Sequence, residues 1–197
     1  MTTTTRPPQK ATDQRFIHSG MSWARFKLLQ ESFADSPGVH LAYYQGEVEI
    51  LAVSQDHETI SRLIAILLAE YFVEKGIEFT PTGSFTQEKE GVASAQADES
   101  YFIGKVGTTP DLSIEVVFTS GTLSKLNRYQ ELGVPEVWFW EDGLLTLYHL
   151  RSEGYERIYG SEVLPDLDIN LLTRFVLMTS RLEAIREFRR GISQGST

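Results

Sequence analysis

Carboxylates crowd one stretch of this chain. Between Gln87 and Val116 stand Glu88, Glu90, Asp98, Glu99, Asp111 and Glu115, against only Lys89 and Lys105. Glu115 is the most costly of them, because it lies inside Leu112–Phe118 (LSIEVVF), which reads as a buried strand. Strand alternation puts Ile114, Val116 and Phe118 on one face and Asp111, Ser113, Glu115 and Val117 on the other. A carboxylate there costs several kcal/mol, roughly, unless a cation or hydrogen-bond donors meet it. Asp98 opens a second strand-like run, Ala97–Ile103 (ADESYFI), and shares a face with Ser100 and Phe102. With the two strands as neighbours about 4.8 Å apart, Asp98 and Glu115 converge on one divalent cation. Magnesium takes a couple of carboxylates together with water and phosphate oxygens. Asp111 is four residues from Glu115, about 13 Å along a strand. It joins the pair only if the Thr108-Thr109-Pro110 turn bends it inward. Lys125 falls in the first turn of the next helix, where a cation has no support from the helix dipole. It can point back over the strand end, to orient an attacking water or neutralise charge on a phosphate.

Each of these residues has a plainer reading. Glu115 is equally satisfied by an arginine or by backbone donors, and Asp98 by solvent beside Glu99. Asp111 follows a proline, where aspartate is ordinary turn chemistry. Lys125 read alone is an exposed helix residue. His57 stands at a helix start between Asp56 and Glu58, which reads as Asp56 capping and His57 partly exposed. Trp138 and Trp140 read as core or interface residues, and the C-terminal arginines as a solvated helix face.

The elements that must position these groups follow from periodicity. Met1 to about Gly20 is polar, contains prolines and lacks a period, so residues 1–20 are expected to be a flexible tail. Residues 21–191 then form one domain, and 192–197 a second tail. A helix is expected over Ser22–Ala34, a hairpin over Val39–Tyr44 and Val48–Val53 turning at Gln45-Gly46, and a core helix over His57–Lys75 ended by Gly76. From Ile77 to Ile103 the pattern is strand-like but broken. The strand of Glu115 is followed by cap formers at Thr119-Ser120-Gly121-Thr122, a helix over Leu123–Leu132, and the strand Val134–Trp140 (VPEVWFW). Glu141-Asp142-Gly143 turns the chain into Leu144–Leu150 and Tyr155–Tyr159, and Asn170–Arg190 is helical. This order predicts an α/β or α+β domain: a mixed central sheet flanked by helices, with an N-terminal helix and hairpin.

Composition removes whole classes of function. The 197 residues contain no cysteine, so disulfides, thiolate nucleophiles and cysteine-held metals are excluded. Eighteen basic against 27 acidic side chains leave a net charge of −9, which argues against coating nucleic acid by bulk attraction. A local, metal-assisted phosphate site is still compatible with that charge. The longest apolar run, Leu63 to Ala69, is far short of the roughly 20 residues a membrane span needs. No charged-then-apolar leader opens the chain, and a cytoplasmic protein is expected.

The blocks ADESYFIG, PDLSIEVVFTSG and KLNRYQELGVPEVWFWEDGLLTLYHL resemble the Uma-type endonuclease family, abundant in cyanobacteria, of the PD-(D/E)XK nuclease superfamily. The likeness runs from about Trp23 to about Leu171, takes in DHETI at the long helix and LPDLDI at Leu164–Ile169, and is strongest from Pro110 to Trp140. It implies a restriction-endonuclease-like fold and magnesium- or manganese-dependent hydrolysis of nucleic acid, with DNA as the expected substrate. Asp98 resembles the first motif aspartate and Glu115 the acid of the second motif. The lysine usual two residues after that acid is replaced by Val117, and Lys125 resembles the helix lysine that substitutes for it. Ala97 stands where proline usually precedes the first aspartate. Pro110-Asp111 is intact, so Asp111 is the alternative motif aspartate and metal ligand. The family often has a histidine at the position of His57. Nuclease folds often pair to reach both strands, so a homodimer is expected, with VPEVWFW as its apolar surface. A binding or assembly module that keeps the fold without turnover is the competing reading, and a two-carboxylate glycosidase a distant one.

Overall fold

Local signals set the helices that carry the site. Ser54 caps the long helix: its side chain accepts the His57 amide at 3.3 Å, so the cap comes from Ser54 and not from Asp56. Gly76, at φ 63°, closes that helix in the left-handed conformation that glycine adopts without strain. The structure, a computed structural model, describes residues 12–118 and 122–194, with the backbone alone for Thr122 and Leu123. The expected cap formers at residues 119–121, residues 1–11 of the expected N-terminal tail and residues 195–197 of the expected C-terminal one lie outside the described residues.

In chain order the elements are β1 (Gln14–His18), α1 (Trp23–Ser32), β2 (Val39–Tyr44), β3 (Glu47–Ala52), α2 (Gln55–Lys75), β4 (Phe79–Pro81), β5 (Thr86–Lys89), β6 (Ala93–Gln96), β7 (Glu99–Ile103), β8 (Leu112–Val117), α3 (Thr122–Leu132), β9 (Glu136–Glu141), β10 (Leu144–Arg151), β11 (Gly154–Ile158), α4 (Ile169–Val176) and α5 (Arg181–Gln194). They build a mixed α+β fold with two sheets. One sheet has five strands in the order β1-β3-β2-β6-β5, all antiparallel. The other has six, in the order β11-β10-β9-β8-β7-β4, antiparallel except where β8 and β9 run parallel on either side of α3.

The expected mixed sheet is therefore present, but it has a second sheet beside it. The broken stretch from Ile77 to Ile103 supplies four short strands and changes sheets twice, between β4 and β5 and back between β6 and β7. The expected N-terminal tail also needs correction. Gln14–His18 is a strand, paired along its length with β3. Its side chains are mostly exposed, so it has no apolar alternation to betray it; backbone pairing orders it instead. At the other end, α5 continues to Gln194, past the expected boundary at residue 191.

Strand β8 is buried on both faces. Leu112, Ile114 and Val116, with Trp138 and Trp140 of β9, pack in the main core against Leu63, Leu67 and Phe72 of α2 and against Phe175 and Phe188 of α4 and α5. The opposite face, with Val117, Val137 and Phe139, packs on Leu126 and Tyr129 of α3 and on Ala95 and Ala97. Both tryptophans of VPEVWFW are thus core residues, so this strand offers no apolar surface to a second copy. Among the described residues, no helix is long and apolar enough to cross a membrane.

Candidate active site at the junction of the two sheets

Glu115 lies on the face of β8 that looks toward α3, as alternation requires. Its side chain is 5% exposed. Lys125 and Tyr129 stand four residues apart on α3, hence on one helix face, and both donate to it: Lys125 Nζ to Oε2 and the Tyr129 hydroxyl to Oε1. The bonds extend from α3 to β8, so the helix expected from sequence delivers its lysine to the strand acid. Burial, then the Glu115 charge, hold the Tyr129 phenol well above its usual range, so it remains a donor.

Asp98 sits at the bend between β6 and β7, where the chain changes sheets. Its backbone amide donates to the Ile114 carbonyl at 3.0 Å, and its Oδ2 accepts the Val116 amide at 2.6 Å. These two bonds clamp it across β8, beside Glu115. Its side chain, 3% exposed, also meets two histidines. His57 Nε2 lies 2.9 Å from Oδ2, at ion-pair distance but off the line of a hydrogen bond, and His40 Nδ1 lies 3.4 Å from Oδ1. Burial alone would push the Asp98 carboxyl up. His57, then Lys125 and His40, reverse this and leave it below the ordinary aspartate value.

The environment of His57 differs from the sequence expectation. The ring is buried, with its Nδ1 2.8 Å from Asp13 Oδ2 and Phe118 edge-on at 5.8 Å. Burial favours the neutral ring, but the two carboxylates more than offset this, first Asp98 and then Asp13, and raise its pKa to about 9. Next to this group is a second charged layer. Glu49 of β3 accepts from Arg15 at 3.0 Å and from Arg128 of α3 at 3.3 Å. Burial works against the Glu49 charge, yet Arg128, Lys125 and Arg15 hold its pKa below the usual value. A narrow cavity between the sheets is lined by His40, Glu49, Gln96, Glu115, Lys125 and Arg128. His40 and Gln96 also line a larger cleft that opens beside α1.

The structure thus brings Asp98, Glu115 and Lys125 together and adds His57. Asp111 is not brought to them. Its Oδ2 accepts the Ile103 amide at 2.8 Å and its own amide donates to Tyr101, so it ties β7 to the start of β8. Sequence reasoning missed Tyr129, Arg128, Glu49, His40 and Asp13. The first two had a signal, since they are three and four residues beyond Lys125. The other three come from segments distant in sequence, His40 and Glu49 from strands and Asp13 from just before one, and had none.

A hard divalent cation suits this donor set. Two buried carboxylates on adjacent backbone are the number magnesium takes when it keeps waters and substrate oxygens. Among the described residues, no group of three or more His, Asp or Glu side chains forms a cage for a metal. Any ion would share Asp98 and Glu115 with the cations now paired to them.

The chain thus sets two buried carboxylates beside a buried lysine: Glu115 and Lys125 come from the strand–helix–strand unit β8-α3-β9, and Asp98 joins them from the bend between β6 and β7. It belongs to the Uma2 family, described as "Putative restriction endonuclease", whose model matches residues 23–176. The chain is also similar to a crystal structure described as a "putative nuclease belonging to DUF820 from Anabaena variabilis ATCC 29413", at 16% identity and a TM-score of 0.48, over 75% of this chain and 90% of that one. No curated protein matches it.

Proposed function

We propose that this protein is a metal-dependent endonuclease that hydrolyses phosphodiester bonds in DNA. One observation carries the reading: Glu115, buried in a central strand, is held by a buried lysine from the next helix beside a second buried carboxylate, Asp98. Membership of the family described as putative restriction endonuclease supports it.

Asp98 and Glu115 would hold magnesium or manganese. When bound, the cation supplies Lewis-acid polarisation of the phosphate and of the attacking water. Lys125 fixes Glu115 and presents a point charge beside the place where phosphate charge develops. Tyr129 holds the other Glu115 oxygen, so the carboxylate is oriented from both sides. His57 and the Val116 amide hold Asp98 against β8. His40, half-way between the inner cavity and the outer cleft, stands where a substrate phosphate would enter.

A specific feature favours the competing reading, a binding or assembly module without turnover: both carboxylates already have protein cations or donors as partners. Manganese titration followed by electron paramagnetic resonance separates the two. The nuclease reading expects a bound ion in the wild type, little binding in Asp98→Asn, and metal-dependent cleavage in parallel. A protein that binds no manganese and cuts no nucleic acid contradicts it.

A further inference from the structure

Strand β1 and the residue just before it reach the site with one acidic and one basic side chain, and both lie outside residues 23–176, where the family model matches. Asp13, just before β1, has a side chain only 1% exposed. One carboxylate oxygen accepts the amide of Ser54, the residue that caps α2, at 2.8 Å; the other lies 2.8 Å from His57 Nδ1 in the first turn of that helix. Asp13 therefore fixes both the helix start and the ring that α2 sends toward Asp98. Two residues later, on the same side of an alternating strand, Arg15 reaches Glu49 Oε2, the atom that also accepts from Arg128.

We propose that β1 is an active-site strap: Asp13 and Arg15 are positioning residues that set His57 against Asp98 and Glu49 against Arg128. The family-matched stretch alone lacks both contacts. For what the site does, the inference rests on the nuclease reading. For how the site is assembled, it rests on the contacts alone.

The test uses the full chain. Asp13→Asn keeps an oxygen for the Ser54 amide and removes the charge facing His57, so it separates anchoring of the strand from positioning of the ring. Two nuclear magnetic resonance signals report on it without turnover: the His57 Nδ1 proton, and the Val116 amide proton, which is bonded to Asp98, the carboxylate that faces His57. In Asp13→Asn the first should be lost and the second should move, while the Ser54 amide stays. The kcat of magnesium-dependent cleavage should fall about 10-fold or more, as for other outer-sphere partners of metal ligands, with KM for DNA held within about twofold. Gln14→Ala, on the exposed face of β1, should change none of these. Arg15→Gln reads the second contact and serves if Asp13→Asn does not fold; the same split of kcat from KM is expected. An unmoved Val116 amide in folded Asp13→Asn, or wild-type kcat in both strap variants, overturns the proposal. If the wild type binds no manganese and cuts nothing, the nuclease reading falls. The strap is then judged by the two resonance signals alone.

Discussion

Glu115 and Lys125 are buried together, and each makes the burial of the other tolerable. Breaking one half of such a pair typically costs about 3–5 kcal/mol, because the remaining charge is left without a partner, whereas replacing both is often neutral. Glu115→Gln and Lys125→Met should therefore each lower the melting temperature and abolish cleavage. The double variant should recover much of the stability and none of the activity, and thermal denaturation of the four proteins checks this. Asp111 separates stability from chemistry in the opposite sense. Its carboxylate satisfies the Ile103 amide, so Asp111→Ala should cost about 1–3 kcal/mol and leave kcat within about twofold, while Asp98→Asn removes activity. Loss of cleavage in Asp111→Ala, with stability intact, would make Asp111 the motif aspartate after all. Sequence and structure agree best here: the strand acid and the first-turn lysine, which read alone is an exposed helix residue, are found in contact. The tyrosine and arginine on the same helix face were legible in principle, since spacing alone places them there.

At the scale of elements, β8, α3 and α2 were readable because their apolar residues follow a clear period, and all three were expected near their observed limits. The stretch from Phe79 to Gln96 was not, because its strands are only three or four residues long and too short to show a period. The same crossing fixes Asp98, so its expected place at the start of a strand face became a bend between sheets. β1 was missed for a different reason: its order comes from pairing with β3, and Asp13 from a contact with α2, neither of which leaves a local mark. Burial on β7 has a consequence for pH. Glu99 is buried beside Arg62, and burial, with smaller effects of Asp98 and Glu58, raises its pKa to about 7 in spite of that arginine. Its folded value lies above the unfolded one, so the folded state takes up the proton more readily, and this stabilising contribution is lost as pH rises from about 4.5 through 7. Glu99→Gln cannot ionise. Its melting temperature relative to the wild type should rise between pH 5 and pH 8; a difference that is flat or falls would show that Glu99 is already ionised at pH 5.

For the whole molecule, the charged groups of the site nearly balance: Asp13, Glu49, Asp98 and Glu115 face Arg15, His57, Lys125 and Arg128. The net charge of −9 therefore belongs largely to the rest of the surface. A chain of this charge meets DNA locally, so its affinity should depend on the bound cation more than on bulk attraction. Ligands that bind only the folded state raise its melting temperature. Magnesium or manganese should accordingly stabilise the wild type, with the shift absent in Asp98→Asn. An equal shift in both proteins would place the ion elsewhere. The most direct test of the central claim is cleavage of plasmid and single-stranded DNA by the purified protein, with magnesium, with manganese and with a chelator, beside Glu115→Gln. The account predicts cutting that needs the metal, stops with the chelator and disappears in the variant. Cutting that persists in folded Glu115→Gln, or that proceeds equally in chelator, would contradict it.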